Sequence, residues 1–127
     1  GTATAAGHAG VAYALTGLMR ALPWHASRQQ MYLPKDVCDR HNLDVQSVFR
    51  GETTAELRAV LAEMRGHVRH HLGRVRQASE DVPTACQTAY LPLVLVEPFL
   101  KKLEREDERV NRHHSTLRIK QNTSQNR

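Results

Sequence analysis

The chain of 127 residues has the size of one small domain or of part of a larger one. Hydrophobic residues make up 40% and charged residues 24%, which excludes a wholly disordered chain, and its longest apolar run, Tyr90 to Val96, is broken by Pro92 and far below the roughly 20 residues of a membrane span. A formal net charge of +5 points to an anionic partner (acidic lipid, an acidic protein face or nucleic acid) without choosing among them. Aromatic residues are only 5%, so the composition leans helical rather than towards a β-sandwich. The two cysteines, Cys38 and Cys86, lack CxxC spacing and imply no disulfide framework, so a reducing compartment is expected. The chain opens at Gly1 with no initiator Met, signal peptide or Arg/Ser-rich transit segment, and reads as a processed or incomplete chain.

Residues 2–22 are rich in Ala and Gly, with Val11, Leu15, Leu18 and Leu22 at helical spacing. Glycine costs about 1 kcal/mol relative to alanine inside an exposed helix. Gly7, Gly10 and Gly17 therefore predict close packing against other helices. Pro23 is expected to end this helix and to open a loop over 23–34. Pro34 suits the first position of a short helix over about 34–40, which His41-Asn42 then breaks. Asp44 is placed to cap a second short turn, Val45–Arg50, closed by Gly51.

The clearest helix follows. Thr53 or Thr54 can cap it, and Glu56 suits the positive end of its dipole. Leu57, Val60, Leu61, Met64, Val68, Leu72 and Val75 form a stripe that reads as a core face, ending before Pro83. Other faces carry Arg58, Arg65, His67, Arg69, His70, Arg74 and Arg76. Arg65, Arg69, Arg74 and Arg76 are the candidate basic face. It carries no aromatic residue for base stacking, so nucleic acid is not the favoured partner. His67 and His71 stand four apart, a spacing that can hold a metal, yet no third ligand is evident and no metal or cofactor is expected. Each cysteine reads as core packing.

A last helix is expected from about Pro83 to Asp107, with Leu91, Val94, Leu95, Phe99, Leu100 and Leu103 on its apolar side and a kink or break at Pro92 or Pro98. From Arg109 the chain turns polar, and residues 109–127 read as a mobile or partner-ordered tail. The tally is an all-α chain.

The segment Ala14–Pro34, ALTGLMRALPWHASRQQMYLP, resembles the second signature of the squalene/phytoene synthase superfamily. That signature runs Q-x-T-N, two hydrophobic residues, R-D-x-x-E-D, a basic loop, then Y-L-P. Thr16, Arg20, Tyr32, Leu33 and Pro34 match it, and the resemblance extends over about residues 5–107. It implies an isoprenoid-synthase-like helical bundle, of which residues 1–108 would be the C-terminal part. Enzymes of this family ionise an allylic diphosphate on magnesium held by facing acidic motifs, because that hard cation takes oxygen ligands. Here the signature's Asn falls on Gly17, its first Asp on Ala21, and its Glu-Asp pair on Trp24-His25. No carboxylate occurs anywhere from Gly1 to Lys35.

The loop resembles instead the family's non-catalytic branch, L-R-A-x-P-[YFW]-H-[AG]-x-R followed by L-P. Leu18, Arg20, Ala21, Pro23, Trp24, His25, Ala26, Arg28, Leu33 and Pro34 fit that form. The resemblance implies a pseudoenzyme that helps assemble mitochondrial respiratory complex I, or an accessory subunit of a respiratory complex, in the matrix and peripheral to the inner membrane. Its partners would be respiratory subunits or other assembly factors, with a contact to anionic lipid. Arg20, Trp24, His25 and Arg28 would line the mouth of a vestigial cavity. Two alternatives stand: a prenyl synthase half whose N-terminal part supplies the carboxylates, and a structural subunit of another large mitochondrial assembly.

Overall fold

The structure, a computed structural model, describes residues 2–79 and 96–125. Every element among them is a helix: α1 Thr2–Ser27, α2 Lys35–Arg40, α3 Val45–Phe49, α4 Ala55–Ser79 and α5 Val96–Gln125. They fall into two units, Gly1–Val96 and Glu97–Arg127.

In the first unit α1 packs chiefly on α4. The contact face of α1 is Ala5, Ala9, Ala12, Thr16, Met19 and Leu22, all buried. Their spacing of three and four residues puts them on one side of the helix. From α4 come Leu57, Val60, Met64, Val68, Leu72 and Val75, also buried, with Leu61 half-buried at the edge. Small side chains on one helix therefore meet larger ones on the other. Each fully buried Val or Met contributes about 1.5–3 kcal/mol of transfer free energy. His8, early in α1, meets His71, late in α4, so the two helices run antiparallel.

The glycines of α1 do not serve this packing. A Cβ built at Gly7, Gly10 or Gly17 meets nothing within 4 Å. The close approach expected of them is made by Ala5, Ala9 and Ala12 on the other side of the helix.

Pro23 does not end α1, which continues to Ser27. A helical proline lacks only its own N–H, so the turn Trp24–Ser27 keeps its donors. Buried Met19 and Leu22 hold the preceding turn in place. The exit comes later, and three helices share it. Gln29 (φ 55), Asn42 (φ 53) and Gly51 (φ 77) follow α1, α2 and α3 in the left-handed region. In each case the next N–H reaches back five residues: Gln30 to the His25 carbonyl at 2.9 Å, Leu43 to Cys38 at 3.0 Å, and Glu52 to Ser47 at 3.0 Å. This is the Schellman closure, which satisfies carbonyls left over at a helix end.

Pro34 is the N-cap of α2 rather than its first residue, and its carbonyl accepts from the Cys38 N–H at 3.1 Å. Val37 and Cys38 are the buried residues of α2, and burial pushes the Cys38 thiol pKa up, with Asp39 and Asp36 adding to it. Cys86 lies outside the described residues. Asp44 caps α3 through Oδ1, which accepts from the Gln46 N–H at 3.0 Å. Thr54, of the two threonines, caps α4, its Oγ1 accepting from the Leu57 N–H at 3.1 Å.

The second unit is the helix α5. Pro98 lies in its first turn, where an N–H has no intrahelical partner to lose, so no break occurs there. Pro92, and the expected start of this helix near Pro83 with Leu91, Val94 and Leu95, lie outside the described residues. Val96 and Leu100 are buried, and Phe99 and Leu103 half-buried. The helix runs on to Gln125, well past Arg109, where the apolar pattern stops. Opposite charges three or four apart, as in Lys102/Glu106, Arg105/Glu108 and Glu108/Arg112, favour the helix as far as Arg112, but no acidic residue follows Glu108 to extend that support. Arg112 and residues 120–125 are exposed.

Candidate functional site

Because α1 continues through Pro23, Trp24 and His25 belong to the same helix as Gly17 and Ala21. Tyr13, Gly17, Ala21 and Trp24 follow at intervals of four, four and three, so they share one face. That face points away from α4: Tyr13, Gly17 and Trp24 are exposed, and Ala21 is partly so. Arg20, on the neighbouring row, is exposed as well. Gly17, Ala21 and Trp24 thus form a continuous outward surface, with the half-buried His25 beside its end. What the surface offers is a hydrogen, a methyl, an indole and an imidazole. None is a hard oxygen donor, so these side chains cannot grip magnesium.

The end of this surface is organised by aromatic contacts. Trp24 is 60% exposed, and the Arg28 guanidinium lies 4.2 Å from the centre of its ring. A cation–π pair of this kind is worth about 0.5–1 kcal/mol at an exposed site. It also holds a positive charge flat on an apolar platform. The half-buried His25 ring meets Tyr32 edge-on at 4.6 Å, while its carbonyl accepts from Arg28 and Gln30 at 3.0 and 2.9 Å. Leu33 is buried and pins the loop, whereas Tyr32 stays exposed. Thr16 is buried, and its hydroxyl donates to the Ala12 carbonyl at 2.8 Å. The matched residues therefore split: Thr16 and Leu33 serve the core, while Arg20, Trp24, His25 and Arg28 gather at the C-terminal end of α1.

The arginines of α4 are not gathered on one face. Arg58, Arg65, Arg69 and Arg76 share one flank by helical spacing, and Arg74 stands on the other. Arg69, Arg74 and Arg76 are exposed and Arg65 is half-buried, with Arg74 donating to the Gln77 side chain at 3.4 Å.

Two polar clusters join His67 and His71 to residues that sequence did not connect with them. Glu63, on α4, accepts from the Arg40 guanidinium of α2, Nε to Oε1 being 3.0 Å. His41 Nε2 lies 3.3 Å from Oε1, and His67 Nε2 3.4 Å from Oε2. The Arg40 hydrogen bonds hold the Glu63 carboxyl down at about 2, with His67 and His41 adding to the effect. In the second cluster, His8 Nδ1 lies 2.8 Å from His71 Nδ1 across the α1–α4 seam. Burial lowers the His71 pKa, and the neighbouring His8, His70 and His67 lower it further. The four-residue spacing of His67 and His71 thus leads to different partners, Glu63 for one and His8 for the other. Among the described residues no three His, Cys, Asp or Glu side chains converge as a metal site would require. A separation of 63 residues leaves no local signal for the His8–His71 pair. Only the small residues of α1, which let the helices approach closely, foreshadow it.

Among the described residues no helix is long and apolar enough to cross a membrane. The squalene/phytoene synthase family model matches residues 1–123. The chain is 34% identical over 103 residues to a Mus musculus protein named NADH dehydrogenase (ubiquinone) complex I, assembly factor 6, covering 81% of this chain and 31% of that protein. The Homo sapiens protein of the same name is 33% identical over the same length and coverage. A Dictyostelium discoideum homolog is 28% identical, with 80% of this chain and 29% of that protein covered. The chain therefore spans less than a third of the length of these relatives. No solved structure matches. The chain belongs to the squalene/phytoene synthase family, an all-helical, isoprenoid-synthase-like fold.

Proposed function

We propose that this member of the squalene/phytoene synthase family is a pseudoenzyme acting in the assembly of mitochondrial respiratory complex I. The observation that carries the reading is the outward face of α1. Where the family signature would present acids to a divalent cation, the chain has Gly17, Ala21, Trp24 and His25, with no Asp or Glu between Gly1 and Lys35. Relatives named as complex I assembly factors support the positive half of the proposal.

In this reading residues 1–108 are the C-terminal part of a family domain. The exposed Tyr13 and Trp24 on the outward face of α1, and the exposed Val11 on another side, support it, since exposed apolar side chains are what a helix keeps when other helices of its domain cover it. Arg20, Trp24, His25 and Arg28 line the mouth of the vestigial cavity. Arg65, Arg69 and Arg76 on one flank of α4, Arg74 on the other, and residues 109–127 meet respiratory subunits, other assembly factors or anionic lipid headgroups. The protein works in the matrix, peripheral to the inner membrane.

Affinity purification of the full-length protein from mitochondria, with mass spectrometry of its companions, tests the assembly role. Partly built complex I, in less than stoichiometric amount, is expected. Recovery in fixed ratio with a mature complex would make it a structural subunit instead.

A further inference from the structure

We propose that the exposed basic row of α5, formed by Lys102, Arg105, Arg109, Arg112 and Lys120, lays this helix along the surface of an anionic phospholipid membrane. The inference rests on the reading of the C-terminal residues as a contact surface, extends that surface back to Lys102, and commits it to one partner.

Register and charge carry the proposal. The five cations follow at intervals of three, four, three and eight residues, which places them on one side of the helix, and all five are exposed. At about 1.5 Å per residue the row runs for about 27 Å. Leu100, Leu103 and Val110 share the other side by the same spacing, Leu100 buried and the other two half-buried. The row is therefore the side of α5 that faces water. Glu106 and Glu108 flank its first half and offset part of the charge there. No acidic residue follows Glu108, so the positive field is strongest from Arg109 onward.

The chemistry of the row selects the partner. A specific protein interface is anchored by aromatic and large apolar side chains at its centre, and single-stranded nucleic acid by aromatic stacking. No aromatic residue follows Phe99, and the exposed residues 120–125, KQNTSQ, are all polar. What the row offers is guanidinium and ammonium groups, which donate to phosphate oxygens, arginine through a two-pronged fork. A bilayer surface presents such oxygens at every point, so a straight row finds acceptors without any matching shape. Each Lys or Arg held near an anionic surface strengthens attachment by about fivefold. Attachment of this kind is adsorption rather than insertion, because no apolar stripe lies on the side of the row, and salt screens it.

Co-sedimentation of the full-length protein with vesicles is the test, using phosphatidylcholine alone and phosphatidylcholine doped with phosphatidylserine. Binding to the doped vesicles only, and its loss at about 1 M salt, are expected. The double variant Arg109→Gln with Arg112→Gln should bind the doped vesicles about 25-fold more weakly. Glutamine keeps a good helix propensity, so its circular dichroism should match the parent, which separates lost binding from lost folding. Removing the same charge elsewhere, by Lys35→Gln with Arg50→Gln, should change the affinity by less than about threefold, which separates the row from net charge. Equal binding to undoped vesicles, no binding to doped ones, or a row variant that binds as tightly as the parent would overturn the proposal. Failure here with partly built complex I still recovered from mitochondria would sink the lipid contact and leave the assembly role standing. Vesicle binding without that recovery would do the reverse.

Discussion

The two sides of α1 obey different rules. One side, Ala5 to Leu22, is buried against α4 and tolerates only residues that fit. The other, through Tyr13, Gly17 and Trp24, is exposed and is defined by chemistry. The inner side explains why the helix exists and why it lies where it does. The outer side explains what the helix can do. The residues that hold α1 in the shell are therefore not those of its outward face, so the two sides can change independently.

Predictions that break or sharpen this contrast run from large to small. Met64 is fully buried on the α4 side of the seam, so Met64→Ala leaves a cavity and should cost about 2–5 kcal/mol in urea unfolding. A loss under about 1 kcal/mol would mean the seam can collapse around the gap. Ala12→Leu forces extra methylenes into the same seam and should cost about 1–3 kcal/mol. Gly17→Ala, five residues further on and on the opposite side, should instead raise stability of this chain by up to about 1 kcal/mol, because its Cβ meets nothing and helix propensity improves. A destabilising Gly17→Ala in the full-length protein would locate a helix seated on that face.

The smallest effect concerns Glu63, which ties α2 to α4. Its folded-state pKa is depressed to about 2, from 4.5, so its contribution is complete above the ordinary carboxyl range and fades as pH falls through about 2. Glu63→Gln should lower stability at neutral pH and flatten the acid limb of the stability curve. An unchanged acid limb would show that the Arg40–Glu63 contact contributes nothing in solution.

Much of this contrast is readable from residue order alone. The α4 stripe, the Asp44 cap and the Gly51 exit each have a local cause, namely periodicity, a side-chain acceptor and a left-handed backbone. That no Asp or Glu occurs from Gly1 to Lys35 is readable too. Four features escape for physical reasons. Pro23 costs α1 one hydrogen bond, which buried neighbours outweigh, and Gln29 takes the left-handed exit without the usual glycine or asparagine signal. Beyond Arg109, α5 continues with neither an apolar stripe nor an acidic residue to pair with its basic ones, so no local pattern forecasts it. His8 and His71 meet only through tertiary packing.

The most direct measurement is magnesium-dependent release of diphosphate from farnesyl or geranylgeranyl diphosphate by the full-length protein. A rate indistinguishable from the enzyme-free background is expected, because α1 offers magnesium no oxygen ligand where the signature places them. Turnover that requires magnesium and is abolished by chelation would contradict the pseudoenzyme reading outright.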